Sequence, residues 1–361
     1  MQIQENVLLA PYTTFKIGGL ARFFCVVKDQ FDALNAYEFA REKNLEVFVL
    51  GGGSNVLISD KGFDGLVAKV ENKGIEIVNE DAISITLKIA SGEAWDEVVK
   101  FAVTNNWWGV ENLSHIPGSS GAIAVQNVGA YGQESSNLIK SVTVFNKHTH
   151  QILELNNAQC GFSYRKSIFN TTERGEYIIF YVTLKLSKSP SPILSYRDLK
   201  NRFGGQEPAI EAIRQAVIEI RDKKYPFPVK AKFGNAGSFL KNPVLNTVEF
   251  QNLKAHAERA FSSDAVNALE TRAFEENDHL KVPAAFLMEI CGLKDLEEGG
   301  AKINRNQPLV IINKTGNASA KDVIKLANTV IKTVFEKTGI KLIIEPELVG
   351  FSKDDLDAIM S

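Results

Sequence analysis

The sequence predicts an α+β fold in two successive parts, and three observations support that prediction. Short apolar runs with a period of two, typical of strands, predominate over residues 1–186. Amphipathic segments with a period near 3.6, typical of helices, are mixed among them and continue in the second part. A polar stretch with two prolines at 187–192 separates the strand-rich first part from the second part and predicts a domain junction.

The first part contains five strand signals and one clear helix signal. Residues 95–103 carry apolar side chains at i, i+3, i+4, i+7 and i+8, which predicts one buried helix face. The turn NKHTHQ at 146–151 lies between two apolar runs and predicts a hairpin. The predicted strands are 46–50, 83–89, 142–144 with its hairpin partner 152–155, and 177–186.

The second part begins with a helix that starts near Pro208 and carries Ile210, Ile213, Val217 and Ile220. A later helix has a capping-box signal in Ser319 and Asp322, and Gly339 stands where it should end. Residues 340–344 then predict a strand that leads into Glu345-Pro346-Glu347.

Composition limits the classes of function. The chain has 361 residues, 44% of them apolar, and a formal net charge of −2. This near-neutral balance argues against a broad nucleic-acid or membrane-binding surface, so an anionic ligand would need a local basic cluster. Three widely spaced cysteines without a metal-ligand pattern argue against a disulfide framework or zinc site. With no signal-peptide pattern at the N-terminus, these features predict a cytoplasmic protein without membrane insertion.

The first glycine stretch, Gly51-Gly52-Gly53-Ser54-Asn55, follows a predicted strand. Successive glycines allow the backbone to approach a ligand and expose N–H groups to phosphate oxygens. Neither a P-loop nor a Rossmann fingerprint fits, because no Lys-Ser/Thr follows and no third glycine opens a helix. A plain glycine-rich turn between two strands explains the motif equally well.

The second glycine stretch runs from Ile116-Pro117-Gly118 to Gly129-Ala130-Tyr131-Gly132. Four glycines in fifteen residues, with Gln126 and Asn127 able to donate and accept, suit a planar ring such as an isoalloxazine or a nucleotide base. Long loops of this kind are more often functional than structural. His115 precedes the stretch and is more typical of a structural side chain than of a catalytic base.

Six ordered blocks resemble a known family. They are TTFKIGG at 13–19, GGGSNVL at 51–57, IPG to QNVGAYG at 116–132, GFSYRKSIF at 161–169, GNAGSFLKNP at 234–243 and EPE at 345–347. Together they resemble the vanillyl-alcohol-oxidase-type FAD proteins and, among these, the UDP-N-acetylenolpyruvylglucosamine reductase family. The segment around Tyr196 resembles the extra tyrosine loop of one subtype. Thr13 replaces the usual asparagine and Ala124 a common proline, which bears only on local loop geometry.

The resemblance implies an α+β architecture with a vanillyl-alcohol-oxidase-type (PCMH-type) FAD-binding domain at 1–200, divided into subdomains of about 1–70 and 71–200. A C-terminal α+β substrate-binding domain would follow at 201–361, and its last strand would return Glu347 to the active site.

The implied enzyme is an NADPH-dependent oxidoreductase of peptidoglycan precursor synthesis, and therefore of cell-wall biogenesis, cell shape, the cell cycle and division. It would reduce UDP-N-acetylglucosamine enolpyruvate to UDP-N-acetylmuramate, with hydride passing from NADPH to FAD and from flavin N5 to the enol ether. Its partners would be the nucleotide sugar and NADPH, and the protein would be a monomer.

The resemblance also assigns roles to residues. Arg165 would bind the substrate carboxylate, and Ser238 would deliver the proton to the α carbon. Glu347 would assist as a proton-bearing or orienting carboxyl near the developing enolate. The substrate-binding residues would be Tyr164, Tyr196, Lys224, Asn242 and Lys294. The cofactor-binding residues would be Gly51, Gly52, Gly53, Ser54, Asn55, Pro117, Gly118, Ser119, Gly121, Gln126, Asn127, Gly129, Ala130 and Tyr131. No metal site is expected.

Two other functions remain open at this stage. One is another FAD oxidoreductase of the same fold, and the other is a nucleotide-sugar-binding protein without catalysis. Taken alone, Arg165 fits a surface ion pair, Ser238 a turn and Glu347 a solvated strand end. Their combination in matching contexts favours the reductase.

Overall fold

A computed structural model of the chain describes residues 1–225, 233–276 and 279–360. The chain divides into two compact units. Unit 1 comprises Met1–Val7, Ala21–Gly53 and Phe63–Lys230, and unit 2 comprises Leu8–Leu20, Ser54–Gly62 and Ala231–Ser361. Among the described residues, no helix is both long and apolar enough to span a bilayer.

Helices and strands are mixed in both units, which confirms the predicted α+β class. The strands are β1 (Gln4–Leu8), β2 (Leu20–Val27), β3 (Val47–Leu50), β4 (Val56–Ile58), β5 (Phe63–Val70), β6 (Ile75–Glu80), β7 (Ser84–Ala90), β8 (Gly129–Ala130), β9 (Gln133–Glu134), β10 (Ile139–Asn146), β11 (Ile152–Asn156), β12 (Tyr177–Ser187), β13 (Gly234–Ser238), β14 (Val244–Leu245), β15 (Phe274–Glu276), β16 (His279–Lys281), β17 (Glu297–Glu298), β18 (Ala301–Ile303), β19 (Val310–Asn313) and β20 (Glu347–Val349). The helices are α1 (Gln30–Glu42), α2 (Trp95–Thr104), α3 (Ser120–Val125), α4 (Arg197–Phe203), α5 (Ile210–Lys224), α6 (Thr247–Ala260), α7 (Ser263–Arg272), α8 (Ala284–Ile290), α9 (Ala320–Thr338) and α10 (Lys353–Met360).

Unit 1 contains two larger sheets. The first has the strand order β1-β2-β5-β3, in which β2 and β3 both run parallel to β5. The second has the order β11-β10-β12-β7-β6 and is antiparallel throughout. Ile85, Leu87 and Ile89 are fully buried on one face of β7, as their alternation predicts. The hairpin of β10 and β11 also forms where the NKHTHQ turn predicts it.

Helix α2 buries the five residues that the sequence predicts for its apolar face, which are Trp95, Val98, Val99, Ala102 and Val103. They share one core with the antiparallel sheet and with Ile210, Ile213 and Val217 of α5. Because α5 buries its apolar face in this core, it belongs to unit 1. Unit 1 therefore continues beyond the domain boundary that the sequence predicts at residue 200.

Unit 2 also includes two short N-terminal segments. The Thr14 hydroxyl donates to the carbonyl of Asn235 (2.7 Å), and β4 pairs in parallel with β20. These contacts explain why 8–20 and 54–62 group with the C-terminal part of the chain. The unit's larger sheet has the order β13-β19-β18-β17.

Helix α9 provides the main apolar face of unit 2. Ser319 and Asp322 form the predicted capping box, and Gly339 ends the helix in the left-handed conformation (φ 71°). The buried residues of α9 include Val323, Leu326, Ala327, Val330 and Val334.

One predicted element was wrong. Residues 340–344 do not form a strand, since only Ile344 makes an isolated bridge, to Leu240, and Ile343 is 64% exposed. The strand lies further on, at Glu347–Val349, where β4 supplies a partner. That partner is distant in sequence, so the local pattern gave no sign of it.

Candidate active site

The first glycine stretch leaves β3 at Leu50 and enters β4 at Val56. Gly51, Gly52 and Gly53 belong to unit 1, whereas Ser54 and Asn55 belong to unit 2. Within unit 2, the carbonyl of Asn55 accepts a hydrogen bond from the N–H of Glu347 (3.0 Å). This end of the stretch is therefore fixed by the parallel pairing of β4 and β20.

Within unit 1 the two glycine stretches touch backbone to backbone. The N–H of Gly52 donates to the Ser119 hydroxyl (3.1 Å). A Cβ atom added to Gly52 would lie 2.5 Å from Cα of Gly118, so no other side chain fits there without movement. Closely spaced backbones without intervening side chains leave N–H groups near a bound group, an arrangement suited to the phosphates of a dinucleotide cofactor. These residues therefore fit FAD.

Replacing Gly52 by alanine should weaken FAD binding about 10- to 100-fold, because overpacking costs about 1–3 kcal/mol and each 1.4 kcal/mol is tenfold in affinity. Titration of FAD into flavin-stripped protein measures the effect. Gly175→Ala is the control: alanine strains its left-handed backbone (φ 78°), but a Cβ there has no neighbour within 4 Å and the residue lies outside both stretches. The variant therefore reports what a destabilising glycine-to-alanine change does to FAD affinity on its own, and it should bind FAD like wild type. Equal affinity of Gly52→Ala and wild type would contradict the assigned contact.

Residues 126–131 follow α3 and form a turn of unusual backbone geometry. Asn127 and Tyr131 both have positive φ (42° and 51°), and Gly129–Ala130 form β8. The Asn127 amide donates to the Glu134 carboxylate (2.8 Å) and accepts from the N–H of Ser136 (2.9 Å). Because these bonds are made within the protein, the Asn127 side chain stabilises the turn. A cofactor would therefore contact the backbone of Asn127 and not its side chain.

The remaining predicted cofactor residues lie around α3. Gly121 places its N–H on the carbonyl of Ser91 (3.0 Å), and Ser119 is the N-cap residue of α3. Pro117 and Gln126 are half-buried at the two ends of this segment. All of these residues lie in unit 1 with Gly51–Gly53.

Arg165 is attached to the end of the second glycine stretch. Its guanidinium donates to the carbonyls of Gly129 (Nη2, 2.8 Å) and Asn127 (Nη1, 3.4 Å). The guanidinium carbon also lies 5.1 Å from the ring centre of Tyr164. Arg165 has a left-handed backbone (φ 55°) in a turn closed by reciprocal bonds between Ser163 and Lys166. The side chain is thus fixed in direction by partners in its own unit.

Tyr131, Tyr196 and Lys224 form a second group in unit 1. The rings of Tyr131 and Tyr196 meet edge to face at 5.2 Å, and Lys224 Nζ lies 5.5 Å from the centre of the Tyr131 ring. Burial raises the pKa of the Tyr131 hydroxyl. Lys224 Nζ also pairs with the carboxylate of Asp198 (2.8 Å).

Asn112 connects Tyr131 to the segment that precedes Tyr196. Its amide donates to the carbonyls of Tyr131 (2.7 Å) and Ile193 (2.8 Å). The sequence gave no sign of Asn112, because a buried asparagine in a short turn has no pattern of its own. Asp198 lies two residues after Tyr196, but the sequence indicated no role for it.

Ser238 and Glu347 lie on neighbouring segments of unit 2. Ser238 ends β13 directly after Gly237, which has a left-handed backbone (φ 72°) with open space where a Cβ would stand. The N–H of Glu345 donates to the carbonyl of Phe239 (2.9 Å). The chain just after Ser238 is therefore hydrogen-bonded to the chain just before Glu347.

The two other predicted residues of unit 2 have local partners. The side-chain oxygen of Asn242 accepts from the N–H of Ala284 at the start of α8 (2.9 Å). Lys294 pairs with Glu289 across an exposed turn (2.8 Å). Asn242 is therefore held in place, whereas Lys294 can exchange one anionic partner for another.

The sequence gave no sign of a partly buried ion pair in unit 1. Asp96 in the first turn of α2 takes two hydrogen bonds from Arg214 of α5 (2.7 and 2.9 Å) and one from the N–H of His115 (2.5 Å). Burial opposes ionisation of Asp96, but these hydrogen bonds outweigh it and hold the pKa of the carboxyl below its ordinary value. Only the folded chain reveals the pair, because its members are 118 residues apart.

Asp96→Asn should lower the free energy of unfolding by about 2 kcal/mol at neutral pH, since Arg214 would keep a partly buried charge without its ionised partner. A carboxyl with a lowered folded-state pKa stabilises fully above its unfolded pKa and loses that contribution as the pH falls through the folded value. The difference between wild type and variant in urea unfolding should therefore begin to shrink only as the pH falls below about 4, and it should be smallest below the folded-state pKa of Asp96. Glu97→Gln, on the exposed side of the same helix, should change little. A gap independent of pH would contradict the assignment.

Comparison with known protein families gives two matches that divide the chain. An FAD-binding domain model matches residues 21–155. The model of the C-terminal domain of UDP-N-acetylenolpyruvoylglucosamine reductase matches residues 228–349. The first covers both glycine stretches, and the second covers Ser238 and Glu347.

Individual relatives match nearly the whole chain. A UDP-N-acetylenolpyruvoylglucosamine reductase of Amoebophilus asiaticus is 37% identical over 351 residues, covering 96% of this chain and 99% of its own. The reductase of Neisseria gonorrhoeae is 38% identical, with 95% and 96% coverage. The crystal structure of the Thermus caldophilus reductase has the same fold, with a TM-score of 0.62, 24% identity, and coverage of 97% of this chain and 99% of that one.

The C-terminal domain model and the relatives that align over nearly the whole chain thus point to the same kind of protein, and the FAD-binding domain model is consistent with it. On this basis the chain belongs to the UDP-N-acetylenolpyruvoylglucosamine reductase family.

Proposed function

We propose that this chain reduces UDP-N-acetylglucosamine enolpyruvate to UDP-N-acetylmuramate, with NADPH as reductant and FAD as cofactor, in peptidoglycan precursor synthesis. The observation that carries the proposal is the position of Arg165. Its guanidinium donates to the carbonyl of Gly129 at the end of a glycine stretch that also contacts Gly52. An oriented cation therefore adjoins the segment that fits FAD. The full-length likeness to reductases of this name supports the same conclusion.

FAD, when bound, supplies the redox chemistry, since it can accept a hydride from NADPH and donate one to an activated double bond. The residues that would hold it are Gly51–Gly53 and Pro117–Gly121, with Gly129, Ala130 and Tyr131 beyond them. Their backbone N–H groups and close approach are what this chain contributes. Ser54 and Asn55 would complete the first stretch.

Arg165 is proposed to bind the substrate carboxylate. Hydride addition to a carbon–carbon double bond conjugated with a carboxylate builds negative charge on that carboxylate as the α carbon becomes carbanionic. A guanidinium already fixed in direction stabilises this charge without reorganising during the reaction. Its planar fork also matches the two carboxylate oxygens. The bonds to Asn127 and Gly129 therefore contribute to turnover by fixing Arg165 beforehand.

Ser238 is proposed to give its hydroxyl proton to the α carbon. Glu347 is proposed to place a proton-bearing or orienting carboxyl near the developing charge. A serine hydroxyl is a weak acid, but the proton has to move only after the carbanion has developed. The open space beside Gly237 lets a ligand approach Ser238 closely. Glu347 starts β20, whose pairing with β4 fixes its backbone.

The substrate diphosphate needs local positive charge because the whole chain is close to neutral. Lys224 and Lys294 would supply that charge, with Asn242, Tyr164 and Tyr196 as further contacts. Lys224 is paired with Asp198 (2.8 Å), so a diphosphate would have to compete with that carboxylate. Lys294 similarly would exchange Glu289 for phosphate.

The proposal includes a cytoplasmic monomer. All three cysteines are buried and unpaired, which suits a reducing compartment. Sedimentation of the purified chain should give a single species near its mass of 39.8 kDa.

The test is an assay of the purified chain reconstituted with FAD. We expect NADPH consumption to require the enolpyruvyl substrate and to equal formation of the lactyl ether, measured by mass spectrometry. UDP-N-acetylglucosamine without the enolpyruvyl group serves as the control and should give no turnover. Equal NADPH consumption with and without the substrate, and no lactyl ether formed, would favour another FAD oxidoreductase. Binding of the nucleotide sugar without turnover would favour a binding protein.

A further inference from the structure

His115 stands immediately before the second glycine stretch in an unusual conformation. It is buried, with 8% of its surface exposed, and has a left-handed backbone (φ 60°). Side chains other than glycine rarely adopt this region without local compensation. Strained residues of this kind persist only where their surroundings fix them, and they are concentrated at functional sites.

Charged side chains hold three separate polar groups of His115. Its N–H donates to the Asp96 carboxylate (2.5 Å), and its carbonyl accepts from Arg221 Nε (2.8 Å). Its ring Nε2 lies 2.7 Å from the Asp222 carboxylate. Bonds in which one partner is ionised are stronger than neutral ones. We call Asp96, Arg221 and Asp222 the His115 clamp.

The clamp is anchored to two helices that share a core. Asp96 lies in the first turn of α2, and Arg221 and Asp222 lie in the last turn of α5. Arg214 of α5 is also bonded to Asp96. The side chains of Asp96 and Arg214 are 16% and 13% exposed, unlike those of a surface ion pair. Because α2 and α5 are packed in one core, the clamp fixes the position of His115 relative to that core.

The position of His115 affects the segment that fits FAD. Gly118 lies three residues further on, and its carbonyl accepts from the N–H of Trp95 (3.0 Å), next to Asp96 in α2. Gly118 is also the residue against which Gly52 packs. A shift of His115 would thus alter the contact between the two glycine stretches.

We propose that the His115 clamp positions the second glycine stretch for flavin binding, and that His115 is a positioning residue and not an acid–base group. An ionised carboxylate can only accept, so Asp222 makes ring Nε2 the donor. The proton on Nε2 is therefore held by Asp222 of α5. This inference rests on the proposed function, because it takes FAD as the ligand of the stretch.

The test compares four variants of the full chain by FAD titration and by the visible spectrum of the bound flavin. Asp222→Ala removes the partner of the His115 ring. The control is Glu219→Ala, which removes another carboxylate of α5, one that pairs with Arg202 of α4. His115→Ala loses both the ring and tolerance of positive φ. His115→Asn loses the ring but keeps that tolerance, and with it the backbone bonds to Asp96 and Arg221.

We expect Asp222→Ala and His115→Ala to weaken FAD binding about tenfold or more and to shift the flavin spectrum. His115→Asn should recover at least threefold of the affinity lost in His115→Ala, and Glu219→Ala should match wild type. If Asp222→Ala does not fold, the two His115 variants decide by the same criterion.

Any other pattern overturns the proposal. In particular, Asp222→Ala with wild-type affinity and spectrum would show that the clamp does not act on the flavin. Failure of both alanine variants to fold in excess FAD, while Glu219→Ala folds, would assign the clamp to folding alone. Wild-type protein that binds no FAD would instead refute the proposed function, so the two failures are distinguishable.

Discussion

Replacing Ser238 by alanine is expected to slow oxidation of the bound flavin by the enolpyruvyl substrate about 10²- to 10⁴-fold, the usual contribution of a general acid. NADPH-driven loss of flavin absorbance should remain close to wild type, because that step adds no proton to carbon. The substitution removes one hydroxyl at the end of β13 and leaves the Gly237 turn unchanged. The effect should therefore be confined to one of the two half-reactions.

Stopped-flow absorbance measures the two half-reactions separately. Ser262→Ala is a suitable control, since Ser262 caps α7 in the same unit and has no proposed part in the chemistry. If Ser238→Ala slowed both half-reactions equally, Ser238 would not be the proton donor.

Replacing Arg165 by lysine is expected to lower kcat about 10²- to 10³-fold, comparable to the loss of one preorganised donor for a developing negative charge. Lysine keeps the positive charge but not the planar fork. It also cannot reproduce both guanidinium bonds to the carbonyls of Asn127 and Gly129. The charge that replaces Arg165 would therefore be present but not oriented.

Steady-state kinetics test this prediction through the division between kcat and KM. An interaction that acts mainly in the transition state lowers kcat and kcat/KM together, with little change in KM. Lys166→Arg alters the neighbouring exposed residue of the same turn and should be close to wild type. A raised KM with unchanged kcat would assign Arg165 to substrate binding alone.

Local patterns predicted the elements whose partners are close in sequence or whose apolar face is long. Helix α9 is an example, because its capping box, apolar face and terminal glycine all lie within one segment. The strand β20 was misplaced because its pairing depends on β4, almost the whole chain away. The same non-local pairing assigns residues 54–62 to unit 2, which no composition change would indicate.

The candidate site divides in the same way. The glycine stretches and Arg165 could be identified from motifs, since the residue type alone determines backbone freedom and side-chain charge. Their supporting contacts could not. The partners of His115 on α5 lie more than a hundred residues away, and a lone histidine in the sequence suggested only a structural role. Contacts of this kind depend on how α2 and α5 pack.

A single anaerobic turnover tests the central claim most directly. Wild-type protein with bound FAD is first reduced by one equivalent of NADPH and then mixed with UDP-N-acetylglucosamine enolpyruvate, while flavin absorbance and product are recorded together. Reduction of the double bond predicts full return of the absorbance and one lactyl ether per flavin. Flavin absorbance that does not return, or returns without formation of the lactyl ether, would contradict it.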